Sequence, residues 1–341
     1  MFGVVRDLEE LLSQNSTLNV LLSSSISEAE VSGISDLPSY YNFLDECLRW
    51  IPIFKDRREL YSKLAQFYCF LSSSFGVELQ NNLLFNNWLL SFFQTWGDFL
   101  STKESSYCLG ELVENPDFYV SDYLGAKDSW HSFNEFMRRQ IKPQKRPFTR
   151  CNANNILSCP VDGICRNIDK IGHESVIKID NISLRLDEIL SNTAYKDNFM
   201  GGVYMHISMC SNDYQRYAMP SNGIILDQQK IPSIVSFGIA KEKGRIYAAE
   251  GDSCQFVQDR GIIIFNNPTI GLIALIPISL VQVASVILTS EIGSSLGAGD
   301  ELGYFESGGS DLIMLCSNSN INIVAEKNKH HNQGNKMAFL A

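Results

Sequence analysis

Hydrophobic positions recur along this chain with two different periods. Up to about Lys127 the spacing is three and four residues. Leu60, Leu64, Phe67 or Tyr68, and Leu71 follow it, and so do Phe85, Trp88 or Leu89, Phe92, Trp96 and Phe99. That spacing gathers side chains on one face of a helix. Trp50, Trp88 and Trp96 fall in this region, and the aromatic stripe reads as the core of a helical bundle in preference to a ligand groove. Turn signals at Ser35-Asp36-Leu37-Pro38 and Asn115-Pro116 separate the helices. From about Cys151 the period shortens. Apolar runs at Ser175–Ile179, Gly202–Ser208, Ile231–Gly238, Gly261–Phe265 and Leu272–Ile276 alternate with Gly, Asn, Asp and Pro, which predicts strands joined by tight turns. Pro268–Leu288 is uncharged over about the length of a membrane span. Pro277, the β-branched content and Ser279, Gln282 and Ser285 favour buried strands separated by a turn over a helix in lipid.

Composition bounds the class. The 341 residues are 45% hydrophobic and 19% charged, a folding composition long enough for one large and one smaller domain. The net charge of −10 argues against nucleic acid, which selects basic surfaces, and less strongly against docking on an anionic membrane. The start, MFGVVRDLEELLSQN, has neither a basic n-region nor a long apolar h-region, so no signal peptide is expected. Nine scattered cysteines form no CxxC pair, which points to reduced thiols, a cytoplasmic setting and no structural zinc. No GxGxxG or P-loop pattern supports nucleotide binding. The last residues, Glu326–Ala341, read as a frayed polar tail. Its His330-His331 pair is not expected to bind metal, because no acidic or cysteine partner lies nearby in sequence.

Chemistry concentrates near the C-terminus. A predicted strand, Leu302–Phe305, runs into Gly308-Gly309 and then Ser310, ahead of a second strand, Leu312–Leu315. The glycine pair permits backbone conformations closed to other residues and brings a carbonyl close to the hydroxyl that follows. A plain β-turn has the same composition, so both readings stand on the residues alone.

Five ordered stretches resemble the phosphatidylserine decarboxylase family of pyruvoyl-dependent enzymes. Gly299–Asp311 (GDELGYFESGGSD) is similar to the family's self-cleavage motif. Phe133–Pro147 (FNEFMRRQIKPQKRP) resembles its opening segment, and Ser158–Gly163 (SCPVDG) its SPxDG motif. Tyr214–Gly223 (YQRYAMPSNG) stands where the family has YHRxHxPxxG, and Ile276–Ser285 resembles a further strand pair. The helical N-terminal part looks like the accessory domain of some soluble, fungal-type members. The resemblance implies an α+β fold: a helical accessory domain over 1–128, a β-rich decarboxylase-like catalytic domain over 129–325, and the polar tail 326–341.

It also implies a mechanism. Ser310 would attack the carbonyl of Gly309, the chain would be cut between them, and residue 310 would become an N-terminal pyruvoyl group, which condenses with a substrate amine and takes up the electrons left by CO₂. No separate cofactor and no metal are implied. In the family an Asp–His–Ser triad drives the cleavage. Asp162 matches the aspartate and Ser310 the serine, whereas the two family histidines fall at Gln215 and Ala218. His206, in the preceding strand, is the candidate substitute, with His173 and Tyr217 more remote. Arg216 and Tyr217 are candidates for substrate binding. Asp311 replaces a small hydroxyl residue common in the family; a carboxylate there opposes an oxyanion at Gly309 unless it points away.

The implied reaction releases CO₂ from phosphatidylserine to give phosphatidylethanolamine. The alternatives are a soluble decarboxylase of aromatic amino acids of the tryptophan type, and a non-processing, non-catalytic relative, which the alanine at 218 motivates. The implied partner is an amino acid or a phospholipid headgroup, met in the cytoplasm or at a membrane periphery, without a transmembrane segment. Family members are often homodimers, which exposed strand edges allow.

Overall fold

The computed structural model describes the chain except for residues 54–64, 126–128, 149–153, 173, 180–181, 192, 232–238, 243–244, 249–258, 280–285 and 307–309; residues 239–242, 245–248 and 310 are described by their backbone alone. The architecture is α+β, with helices in the N-terminal third and antiparallel sheets beyond.

Five helices carry most of the first part: α1 (Gly3–Gln14), α2 (Ser16–Ala29), α3 (Leu37–Cys47), α4 (Ser74–Gln80) and α5 (Leu83–Leu100). The turn signal at Ser35–Pro38 is the start of α3. The Asp36 carboxylate accepts from the Ser39 amide at 2.9 Å in a capping box, and the prolyl ring occupies the first turn, where it costs no hydrogen bond. Asn115 caps the short 3₁₀ turn Pro116–Phe118 in the same manner. The α5 stripe Phe85, Trp88, Leu89, Phe92, Trp96 and Phe99 is buried, as its spacing predicts. The indoles of Trp88 and Trp96 donate to the carbonyls of Val4 and Trp50, so each large ring enters the core with its N–H satisfied. Of the stripe before it, Phe67, Tyr68 and Leu71 are buried, and Leu60 and Leu64 lie outside the described residues. This core also takes in Phe133, Phe136 and Met137.

The β-rich part is built on one antiparallel sheet. Its strands are β1 (Gly163–Lys170), β2 (Val203–Ser208), β3 (Gly223–Ile231), β4 (Arg260–Asn267), β5 (Gly271–Ser279), β6 (Ser295–Leu296), β7 (Ser310–Cys316) and β8 (Lys329–His331). Their spatial order is β6-β3-β4-β5-β7-β2-β1-β8. Both faces are covered, so the central strands are apolar on both sides. On one face Met205, Ile207, Leu275, Leu312 and Met314 pack against Tyr217, Leu302, Phe305 and Met337. On the other, Tyr204, Ile262, Ile276, Ile313 and Leu315 meet Ile177, Leu184, Ile189 and Phe199. This two-sided burial is why the strands read as runs and not as strict alternation.

Two expectations are corrected. In the uncharged segment the turn falls at Pro268–Ile270, and β5 runs on through Pro277. The ladder between β4 and β5 passes from Leu275 directly to Ile278, a gap that accommodates the missing prolyl N–H. Residues 280–285, at the end of this segment, lie outside the described residues, as does the strand expected beyond Ile231. The C-terminal tail, expected to fray, is paired at Lys329–His331 and Lys336–Phe339. Here β8 joins β1, and Lys336–Phe339 lies between Ile156–Ser158 and Asn322–Ile323 with Met337 and Ala338 buried. No described helix is long and apolar enough to cross a membrane.

Candidate active site

Residue 310 opens β7, a strand in the middle of the sheet. It stands opposite Ser279 of β5, and the next residue, Asp311, stands opposite Ser208 of β2. Near this strand start lie four buried polar side chains, Ser208, Ser279, Asp311 and His206, all at most 2% exposed in a mainly apolar sheet. The imidazole Nε2 of His206 is 2.5 Å from a carboxylate oxygen of Asp311. The Asp311 carboxylate is thus engaged across β2, beside the apolar layer that includes Ile276, Ile278 and Ile313. Gly308 and Gly309 and the imidazole of His173 fall outside the described residues.

Asp162 lies in the loop before β1. It is 2% exposed and is gripped from two sides: Arg146 donates through Nε at 2.7 Å and through Nη2, and the Gln333 amide donates at 2.7 Å. A bidentate guanidinium is the partner that compensates a carboxylate at such burial. Gly163 follows because only a residue without Cβ fits there: a Cβ would meet the Ser208 carbonyl at 2.7 Å.

Ala218, at the position of the family's triad histidine, is 4% exposed. Its amide donates to Pro160 O, which also accepts from the Gln333 side chain. That side chain reaches Arg216 O as well, so Asp162, Arg216 and Ala218 are tied together through Gln333. Gln215 is fully buried and donates to the carbonyls of Cys210 and Asp213. Arg216 is occupied structurally: it donates to Glu301 at 2.7 Å and twice to Arg138 O, and lies over the Tyr304 ring. Tyr217 is core, with its hydroxyl donating to Ile287 O, and burial pushes that hydroxyl's pKa far above the usual phenol value. The structure therefore brings Asp162, Arg216 and Ala218 together, and separately brings His206 to the residue after Ser310.

The sequence did not reveal what surrounds Asp162. A polar pocket of about 530 Å³ is lined there by Tyr119, Tyr123, Arg146, Asp162, Asp213 and His330, with other residues of the 117–123 and 210–213 segments. His330 Nε2 lies 2.7 Å from Asp213, and this hydrogen bond raises the imidazole above its ordinary pKa, against the opposing effect of burial. An acidic partner for His330 was not expected from the sequence, because Asp213 is 117 residues away. Among the described residues no group of three or more His, Cys, Asp or Glu could hold a metal ion. No disulfide joins the seven described cysteines, and burial pushes the thiols of Cys108, Cys165 and Cys316 up to about 11, out of the range of a working nucleophile.

A two-faced antiparallel sheet whose central strand opens at residue 310, after Gly-Gly in the sequence, with a buried aspartate in the loop before β1, resembles the self-processing decarboxylases. The comparison with known proteins supports that class. The phosphatidylserine decarboxylase family pattern matches residues 133–338. Among similar proteins are three phosphatidylserine decarboxylase proenzymes. That of Clostridium botulinum strain Alaska E43 is 26% identical over 257 residues, covering 73% of this chain and 82% of the relative. That of Clostridium novyi strain NT is 26% identical over 232 residues, covering 67% and 76%. That of Clostridium kluyveri is 23% identical over 255 residues, covering 73% and 82%. The chain belongs to the phosphatidylserine decarboxylase family, whose members are carboxy-lyases.

Proposed function

We propose that the chain is a proenzyme that cuts itself between Gly309 and Ser310 and then releases CO₂ from phosphatidylserine, leaving phosphatidylethanolamine. The observation that carries this reading is the placement of residue 310 at the start of a central strand, amid the buried set of Ser208, Ser279, Asp311 and His206. Buried polar side chains gathered at one end of a central strand, in a mainly apolar sheet, suit a residue that must be made reactive without water. They therefore fit a pyruvoyl group at position 310.

The proposed cleavage balances as follows. The Ser310 oxygen takes the acyl group of Gly309 from its nitrogen, giving an ester. Residue 310 then loses its α-proton, and Gly309 departs as a carboxylate. Water displaces the nitrogen as ammonia and leaves a ketone. When present, that ketone serves as the electron sink for decarboxylation of a bound amine acid. The short chain, residues 310–341, would supply both central β7 and edge β8, so ladder hydrogen bonds would hold it in place after the cut.

Asp162 is proposed as the acidic member of the site, with Arg146 and Gln333 fixing its carboxylate. The substrate-binding roles expected for Arg216 and Tyr217 are not carried forward, since one is committed to Glu301 and Arg138 and the other lies in the core. A lipid substrate implies work at a membrane periphery. The test is mass spectrometry of the purified chain, together with release of CO₂ from phosphatidylserine and, in a parallel arm, from tryptophan. Cleavage at 309/310 with CO₂ from the lipid supports the reading; CO₂ from tryptophan alone moves the substrate to the soluble amino-acid class.

A further inference from the structure

His206 cannot easily serve residue 310 as a base. It stands opposite Ile313, three residues along β7 from residue 310. At roughly 3.4 Å per strand residue that is about 10 Å of backbone. Its imidazole covers part of this distance diagonally and stops at the Asp311 carboxylate, 2.5 Å away. The two side chains are 1% and 0% exposed. They link β2 to β7 at the second residue after the proposed scissile bond.

From this geometry we infer that the His206–Asp311 pair is a positioning device for self-cleavage. It fixes residue 311 against β2, and through one peptide unit it fixes the main chain of residue 310. The inference rests on the proposed cleavage at Gly309–Ser310 and assigns the pair a part in it. The attack of a hydroxyl on the preceding carbonyl needs the two groups in a narrow range of distance and angle, and a displacement of about 1 Å costs such reactions about 10²-fold. The restraint acts on the residue 310 side of the bond, through the strand that residue 310 opens. A carboxylate after the serine, which by itself opposes oxyanion formation, is tolerable here because its charge is directed to an imidazole.

The test uses the full chain at a temperature where every variant is shown to be folded by circular dichroism. Cleavage is followed by intact mass after synthesis in a cell-free system. D311L and H206L should each cut at least about tenfold more slowly than the unmodified chain. D311N keeps an acceptor for an imidazole N–H and should restore most of the rate. The double variant D311L/H206L should be no slower than either single one, since both remove the same link. Cleavage of D311L at the unmodified rate overturns the proposal. A second readout is independent of cutting. In a Ser310→Ala background, amide hydrogen exchange at residues 310–312 should quicken at least about tenfold on adding D311L, with the central strand β5 unchanged. Unchanged exchange at 310–312 overturns the proposal even if the unmodified chain never cuts. Quickened exchange in a chain that never cuts sustains the link and sinks the cleavage reading alone.

Discussion

Replacing Arg146 with methionine isolates the charge that holds Asp162. The arginine side chain is 13% exposed and the aspartate 2%. Two of the three hydrogen bonds to the carboxylate come from Arg146; the third, from the Gln333 amide, remains. Removing one partner of a buried pair leaves an uncompensated charge and costs about 3–5 kcal/mol. The surviving amide donor and the slight exposure of the arginine place R146M near the lower end, at about 3 kcal/mol. Adding Asp162→Asn removes the stranded charge, so the double variant should recover about 1–2 kcal/mol relative to additivity. Urea unfolding is the assay, followed by far-ultraviolet circular dichroism. Tryptophan fluorescence reports on the wrong region, because Trp50, Trp88, Trp96 and Trp130 all precede the β-rich part. A loss in R146M below about 1 kcal/mol, or strictly additive effects in the double variant, would refute the claim that Arg146 compensates the buried Asp162 carboxylate.

Three further outcomes are expected. The His330–Asp213 bond raises the imidazole's folded pKa, so its contribution is fully present below the unfolded value of about 6.5 and is lost as pH rises through the folded one. It is worth less than about 1 kcal/mol, because His330 is nearly half exposed. His330→Gln should therefore lower the urea midpoint below about pH 6.5 and flatten its pH dependence only from there up through the raised folded value. Tyr217→Phe strips the donor from Ile287 O and should cost about 1–2 kcal/mol in urea while leaving the cleavage rate unchanged; a large change in cleavage would return Tyr217 to the site. Ala218→His supplies the imidazole that the family places there, and it should shorten the half-time of cleavage at least tenfold, a conservative bound below the roughly 10²–10⁴ typical of general-base groups. An unchanged half-time in folded A218H would mean that position 218 does not limit the reaction.

The two lobes were legible because each repeats one period over many residues. The α5 stripe covers five turns, and Trp88 and Trp96 could hardly face anything but a core. The Gly-Gly-Ser stretch was not distinctive by itself, since a plain β-turn has the same composition; only its motif context singled out Ser310. The terminal strands were not, since three or four residues of alternation, as in Lys336–Phe339, cannot be told from a polar coil. Pro277 argued for a break that the structure does not make, because a local gap in one ladder was invisible in sequence. The site was half legible. Asp162 and Ser310 carry motif context, whereas the partners His206–Asp311 and His330–Asp213 are 105 and 117 residues apart and meet only through strand register. One row across the sheet makes this plain: Ile278, Asp311, Ser208, Ile164 and His330 are successive cross-strand neighbours. At about 4.8 Å per strand, His330 lies about 14 Å from Asp311, which separates the polar pocket from the start of β7.

The central claim is that this sheet cuts its own chain at residue 310. Intact-mass measurement of the freshly purified protein tests it most directly. The account predicts two species, residues 1–309 and residues 310–341, with the short chain lighter than its encoded mass by one ammonia because residue 310 carries a ketone in place of its amine and hydroxyl. A Ser310→Ala variant should remain whole. A single full-length species from the unmodified chain, stable on prolonged incubation, would contradict it.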